Sequence, residues 1–78
     1  MKKIDACFIA GPFKCKVWPG PTGYHTVRLE VVGTDSFIQQ EFYLNSQSHM
    51  RDAMVEIAQN LYPSGVNAVR EHYAQIGS

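Results

Sequence analysis

The sequence predicts an α+β fold: a four-stranded antiparallel sheet made of two hairpins, followed by two C-terminal helices packed on one face. Three observations carry this. The first half of the chain alternates apolar and polar residues in short runs, separated by glycine- and proline-containing breaks. The period then changes: Met50, Ala53, Met54, Ile57, Ala58 and Leu61 recur at helical spacing. Finally, 78 residues suit one hydrophobic core, so residues 1–78 read as a single domain.

Residues 3–9 alternate loosely and read as the first strand, with a turn at Ala10, Gly11 and Pro12. Phe13, Cys15 and Val17 alternate with Lys14, Lys16 and Trp18 in the second strand. A hairpin centred on Gly11 pairs Ile9 with Phe13, Cys7 with Cys15 and Asp5 with Val17. Its other face pairs Phe8 with Lys14, Ala6 with Lys16 and Ile4 with Trp18. In that register the two cysteines are cross-strand neighbours at about 4.5–5.5 Å. A disulfide is geometrically feasible there, and two reduced core thiols are the reading that suits a cytosolic protein.

Pro19, Gly20, Pro21, Thr22 and Gly23 form the strongest break in the chain and read as an exposed loop. Two prolines remove backbone donors and no Gly-Lys-Ser/Thr follows, so the loop is no phosphate cradle. Residues 24–32 make the clearest strand, with His25, Val27, Leu29 and Val31 on one side. A turn at Gly33, Thr34, Asp35 and Ser36 leads to a return strand over residues 37–44. The register expected from this turn sets Val27 opposite Phe42 and His25 opposite Leu44. On the other face it sets Arg28 opposite Glu41, Glu30 opposite Gln39 and Thr26 opposite Tyr43.

Residues 46–62 form the first helix, with Ser46 or Ser48 placed to cap it and Pro63 to stop it. Burying its four large apolar side chains contributes on the order of 6–12 kcal/mol gross. Residues 64–76 form a second helix, with Ser64 as a cap, Val66, Val69, Tyr73 and Ile76 as its stripe, and Gly77 as a suitable C-cap.

Charge and motifs narrow the function. The formal charge is zero, so no overall field draws the chain to nucleic acid or anionic membrane. The distribution is uneven: residues 1–16 hold four lysines against one aspartate, and the rest holds three arginines against six acids. No apolar run is long enough to span a bilayer and no signal peptide is evident, so the expected location is cytoplasmic. Cys7 and Cys15 are too few for a disulfide scaffold or a four-thiolate zinc site, and no metal is expected. The histidines His25, His49 and His72 are scattered, and no nucleophile motif, P-loop or dinucleotide fingerprint occurs. The chain therefore reads as no enzyme, with no catalytic residue and no cofactor.

Two binding readings remain. The open face of the second hairpin carries Tyr24, Tyr43, Phe37 and Val32 around Arg28, Glu30 and Glu41, with Trp18 on a neighbouring exposed face. Aromatic residues and arginine dominate binding energy at protein interfaces. Trp18, Tyr24, Arg28, Glu41 and Tyr43 are accordingly the candidate contacts for a protein partner. A homodimer through this face or a free sheet edge would also cover them. The alternative is a nucleic-acid-binding accessory domain, in which Lys14 and Lys16 hold phosphates while Trp18, with Phe8 beside it, stacks bases.

Residues 24–31 (YHTVRLEV), the hairpin after them and residues 48–65 (SHMRDAMVEIAQNLYPSG) resemble small phage-encoded anti-CRISPR proteins. The likeness covers about half the chain. It lies in layout: a short antiparallel sheet, a helix rich in Met and Ala, then an aromatic residue and a Pro/Ser/Gly break. No shared motif carries functional residues across. The resemblance implies a non-catalytic inhibitor in a host bacterial cytoplasm. Such a protein docks on a CRISPR-Cas effector subunit and blocks target DNA binding or nuclease recruitment.

Overall fold

The computed structural model describes residues 5–77, with side chains up to residue 75. Lys2, Lys3, Ile4 and the side chain of Ile76 lie outside the described residues. Four strands, β1 (Ala6–Ala10), β2 (Phe13–Pro19), β3 (His25–Val31) and β4 (Phe37–Phe42), form one antiparallel sheet in chain order. Helix α1 (Gln47–Leu61) follows, then a 3-10 turn (Pro63–Gly65) and helix α2 (Val66–Gly77). Both helices lie on one face, α1 against β3 and β4 and α2 against β1, and they pack on each other. This is the α+β architecture the sequence predicts.

The core is the layer between sheet and helices. Phe13, Cys15 and Val17 from β2 and Val27 and Leu29 from β3 meet Met50, Ala53, Met54, Ile57 and Ala58 from α1. The helical stripe is thus buried as its spacing requires, and Leu61 is half-buried at its end. Ser46 caps α1, its hydroxyl accepting from the His49 N–H at 3.2 Å. Val69 and Tyr73 bury the inner side of α2. The Tyr73 hydroxyl reaches Met54 Sδ at 3.3 Å and ties the two helices together. Pro63 opens the 3-10 turn from which α2 runs on, and Ser64 lies exposed inside it. The start of α2 is therefore set by proline's fixed φ rather than by a serine cap.

Both hairpin registers differ from the expectation. In the first, Gly11 and Pro12 form a two-residue turn in which only Gly11 has a positive φ, at 56°. This is the II′ pattern that matches the twist of flanking strands. It pairs Ala10 with Phe13, Phe8 with Cys15 and Cys7 with Lys16. The shift is one residue, so every β1 side chain changes face. Phe8 moves inward, and Cys7 moves to the open face, exposed, while Cys15 stays buried. Both thiols are free and no longer opposite each other. In the second hairpin the loop begins one residue earlier, and the Val31 N–H donates to the Ser36 carbonyl at 3.0 Å. Arg28 then faces Gln39, and Glu41 faces Thr26. The shift is two residues, so the faces stay as expected while the Arg28–Glu41 pairing is lost.

Two glycines let the first turn sit tightly under the helices. A Cβ on Gly11 would stand 2.5 Å from the Ala68 Cβ, and one on Gly65 would stand 2.5 Å from Pro12 Cγ and 2.9 Å from Phe13 Cε2. The Val32 N–H donates to the Pro12 carbonyl at 2.8 Å, extending the β2–β3 ladder to the turn. No helix among the described residues is long and apolar enough to cross a membrane.

Candidate functional site

Strand alternation sends one set of side chains into the core and the other to the face the helices leave uncovered. On that open face stand Cys7 and Ile9 of β1, Lys14, Lys16 and Trp18 of β2, and Thr26, Arg28 and Glu30 of β3. Phe37, Gln39 and Glu41 of β4 complete it. Tyr24 and Tyr43, just outside β3 and β4, meet edge to face with ring centroids 5.7 Å apart.

Arg28 is the centre of this surface and its guanidinium is held on three sides. Nε donates to Glu30 at 2.6 Å, Nη1 donates to Gln39 at 3.1 Å, and the group lies 4.0 Å over the Phe37 ring. The charge-assisted bond to Arg28 holds the Glu30 carboxyl below its ordinary range. Around this clamp the apolar side chains stay exposed: Ile9, Tyr24, Phe37 and Tyr43 are 45–62% accessible, and Trp18 is 37% accessible. Thr26 is the exception on this face, buried between its neighbours Trp18 and Glu41.

Of the five protein-contact candidates, the fold places Trp18, Tyr24, Arg28, Glu41 and Tyr43 on one face. Tyr24 and Tyr43 touch. Glu41 does not pair with Arg28, which is taken by Glu30 and Gln39 instead. Ile9 and Cys7 join this face because of the one-residue shift in β1 that the two-residue turn at Gly11 and Pro12 imposes. The nucleic-acid candidates Lys14, Lys16 and Trp18 also lie here, but Phe8 does not. It stacks on His72 beneath the sheet, with ring centroids 3.8 Å apart and planes 6° from parallel. Glu30 stands among the lysines: it is the Cα partner of Lys14 and lies 3.9 Å from Lys16 Nζ.

No protein-family model, curated protein or solved structure matches this chain.

The other chemistry-bearing residues are dispersed. His25 is buried opposite Phe42 in the sheet, His49 is exposed in the first turn of α1, and His72 lies on α2. Among the described residues, no three His, Cys, Asp or Glu side chains group closely enough to hold a metal ion. Burial pushes the Cys15 thiol up to about 12, with nearby Cys7 adding to the effect. That is the opposite of the lowered pKa a nucleophilic thiolate requires.

Proposed function

We propose that this chain is a non-enzymatic binding protein that presents the open face of its sheet to a protein partner and inhibits it by occlusion. One observation carries the reading. Arg28 is fixed by Glu30, Gln39 and Phe37 and ringed by exposed aromatics on a face no helix covers. A preordered arginine loses little side-chain entropy on binding, and rigid aromatics beside it bury large area at small cost. The layout shared with small anti-CRISPR proteins makes a CRISPR-Cas effector subunit the first partner to test.

The test is a pull-down from nuclease-treated bacterial lysate at moderate salt, using tagged wild-type protein and a Tyr24→Ala/Phe37→Ala pair. Effector subunits should be recovered by the wild type and lost with the pair. Recovery of nucleic acid alone, only when nuclease is omitted, would transfer the role to Lys14, Lys16 and Trp18. That second reading is the weaker one because Glu30 offsets the lysine charge where a phosphate would sit. It also predicts steep weakening with salt, whereas a packed aromatic interface responds little.

A further inference from the structure

The far edge of the sheet carries a second feature, independent of the open face. In an antiparallel ladder, alternate residues turn their N–H and C=O groups toward the neighbour or away from it. The Val31–Ser36 hydrogen bond fixes the phase, so Ile38, Gln40 and Phe42 bond to β3 while Phe37, Gln39 and Glu41 direct theirs outward. β4 is the last strand in the sheet. Its sequence, FIQQEF, has neither the lysine nor the proline that usually guards such an edge.

The helix layer stops short of this edge. Ile38 and Phe42 point inward yet are only half-buried, and Gln40 between them is exposed. Where β4 ends, a groove of about 220 Å³ opens between the sheet and α1. Phe42, Leu44 and Ala53 give it apolar walls, and Asp52 and Glu56, one helical turn apart, give it an acidic side. Asp52 is engaged by Arg51 at 3.1 Å, whereas Glu56 is exposed and makes no ion pair among the described residues. Arg28, the cation that reaches β4, lies on the opposite face of the sheet and is engaged by Glu30 and Gln39. The lysines of β2 lie across the sheet from this edge.

We propose that β4 and the groove beside α1 form a strand-addition site for an extended peptide segment carrying an arginine or lysine between apolar residues. Main-chain bonds to Phe37, Gln39 and Glu41 supply a continuous ladder, as in other strand-addition complexes. Alternate side chains of the added strand cover Ile38 and Phe42, and the basic one between them, opposite the exposed Gln40, extends along the sheet toward the groove beside Glu56. Charge complementarity selects this occupant over an acidic or neutral strand.

The probe is a fluorescein-labelled peptide, Ser-Val-Thr-Arg-Thr-Val-Ser, titrated into the full chain near neutral pH. Anisotropy gives affinity and amide NMR shifts give location. Saturable binding is expected, with the largest shifts at the amides of Phe37, Gln39 and Glu41. The same peptide with glutamate for arginine should bind about three- to tenfold more weakly, and Glu56→Arg in the protein should reverse that preference. N-methylation of the pairing edge of the peptide should abolish binding. Trp18→Ala should leave it unchanged, which separates this site from the open-face reading. Equal binding of both peptides, shifts confined to the open face, or a β4-to-β4 dimer of this chain that excludes the peptide would each overturn the proposal.

Discussion

At the β1–β2 end of the sheet, Phe13, Cys15 and Val17 are fully buried, and the turn between the strands is locked against α2 by the close approach of Gly11 to Ala68. At the β4 end, Ile38 and Phe42 are half-covered, Phe37 is half-exposed, and the loop glycine Gly33 has nothing among the described residues within 4 Å of where a Cβ would stand. The same sheet thus has one closed end and one open end. Two short helices cannot cover four strands evenly. Burial is complete where the helices meet the central strands, at Phe13, Cys15, Val17, Val27 and Leu29, and the edge strand β4 keeps accessible surface.

Truncating one phenylalanine from each end measures the difference. Phe13→Ala removes a ring with no accessible surface and should cost ~3–5 kcal/mol. Phe37→Ala, from a ring half in solvent, should cost under about 1 kcal/mol. Urea midpoints compare the two directly. Similar losses would show that the second hairpin is as closed as the first.

The glycines of the two ends differ in the same sense. An alanine at Gly65 must displace Pro12 and Phe13, contacts that would otherwise stand at 2.5 and 2.9 Å. About 1–3 kcal/mol of destabilisation is expected from overpacking. Gly33→Ala meets no neighbour but must hold a φ of 83°, so only the left-handed backbone cost of about 1–2 kcal/mol applies. A Gly65→Ala protein as stable as wild type would mean that the turn and the helices are not packed in this way.

How much of this was legible in the sequence follows from which physical signals are periodic. The helical stripe of α1, its Ser46 cap and the alternation of β2 and β3 depend on side-chain period, and each appears in the structure. Register depends instead on the turn. Gly11 and Pro12 satisfy either an odd or an even loop by composition, and only the negative φ at Pro12 beside the positive φ at Gly11 selects the two-residue form. That single residue sent Phe8 inward and Cys7 outward. The two-residue slip in the second hairpin preserved its faces, so the candidate contacts remained together while the partner of Arg28 changed from Glu41 to Glu30. The stack of Phe8 on His72 joins residues 64 positions apart, and no local pattern announces it.

The cysteines extend the comparison to pH. Cys15 is buried and its thiol is raised from 9.0 to about 12, and burial also raises the Tyr73 hydroxyl. A raised folded-state value means the native protein keeps a proton that the unfolded chain releases. The stabilisation is complete below pH 9 and declines as pH rises through that window, by up to about 1.4 kcal/mol per pH unit for each group. Urea midpoints should therefore fall above pH 9, and Cys15→Ala should flatten part of the slope. In the native state near neutral pH a thiol reagent should modify Cys7 promptly and Cys15 only on unfolding.

The smallest expected effect lies at the clamp on the open face. Glu30 is held below its ordinary range chiefly by its hydrogen bond to Arg28. A lowered folded-state value gives a contribution present above the usual glutamate range and lost as pH falls through the lowered one. Because the pair is solvent-screened, Glu30→Gln should change the urea midpoint little near neutral pH. Its effect should fall on recognition instead. A glutamine still accepts from Nε but no longer neutralises the guanidinium, so Arg28 is freer to leave the Phe37 ring. Partner capture by the open face should weaken while peptide binding at β4 stays the same. If both change together, Glu30 supports β4 as a whole, and the open face and the strand edge are not independent surfaces.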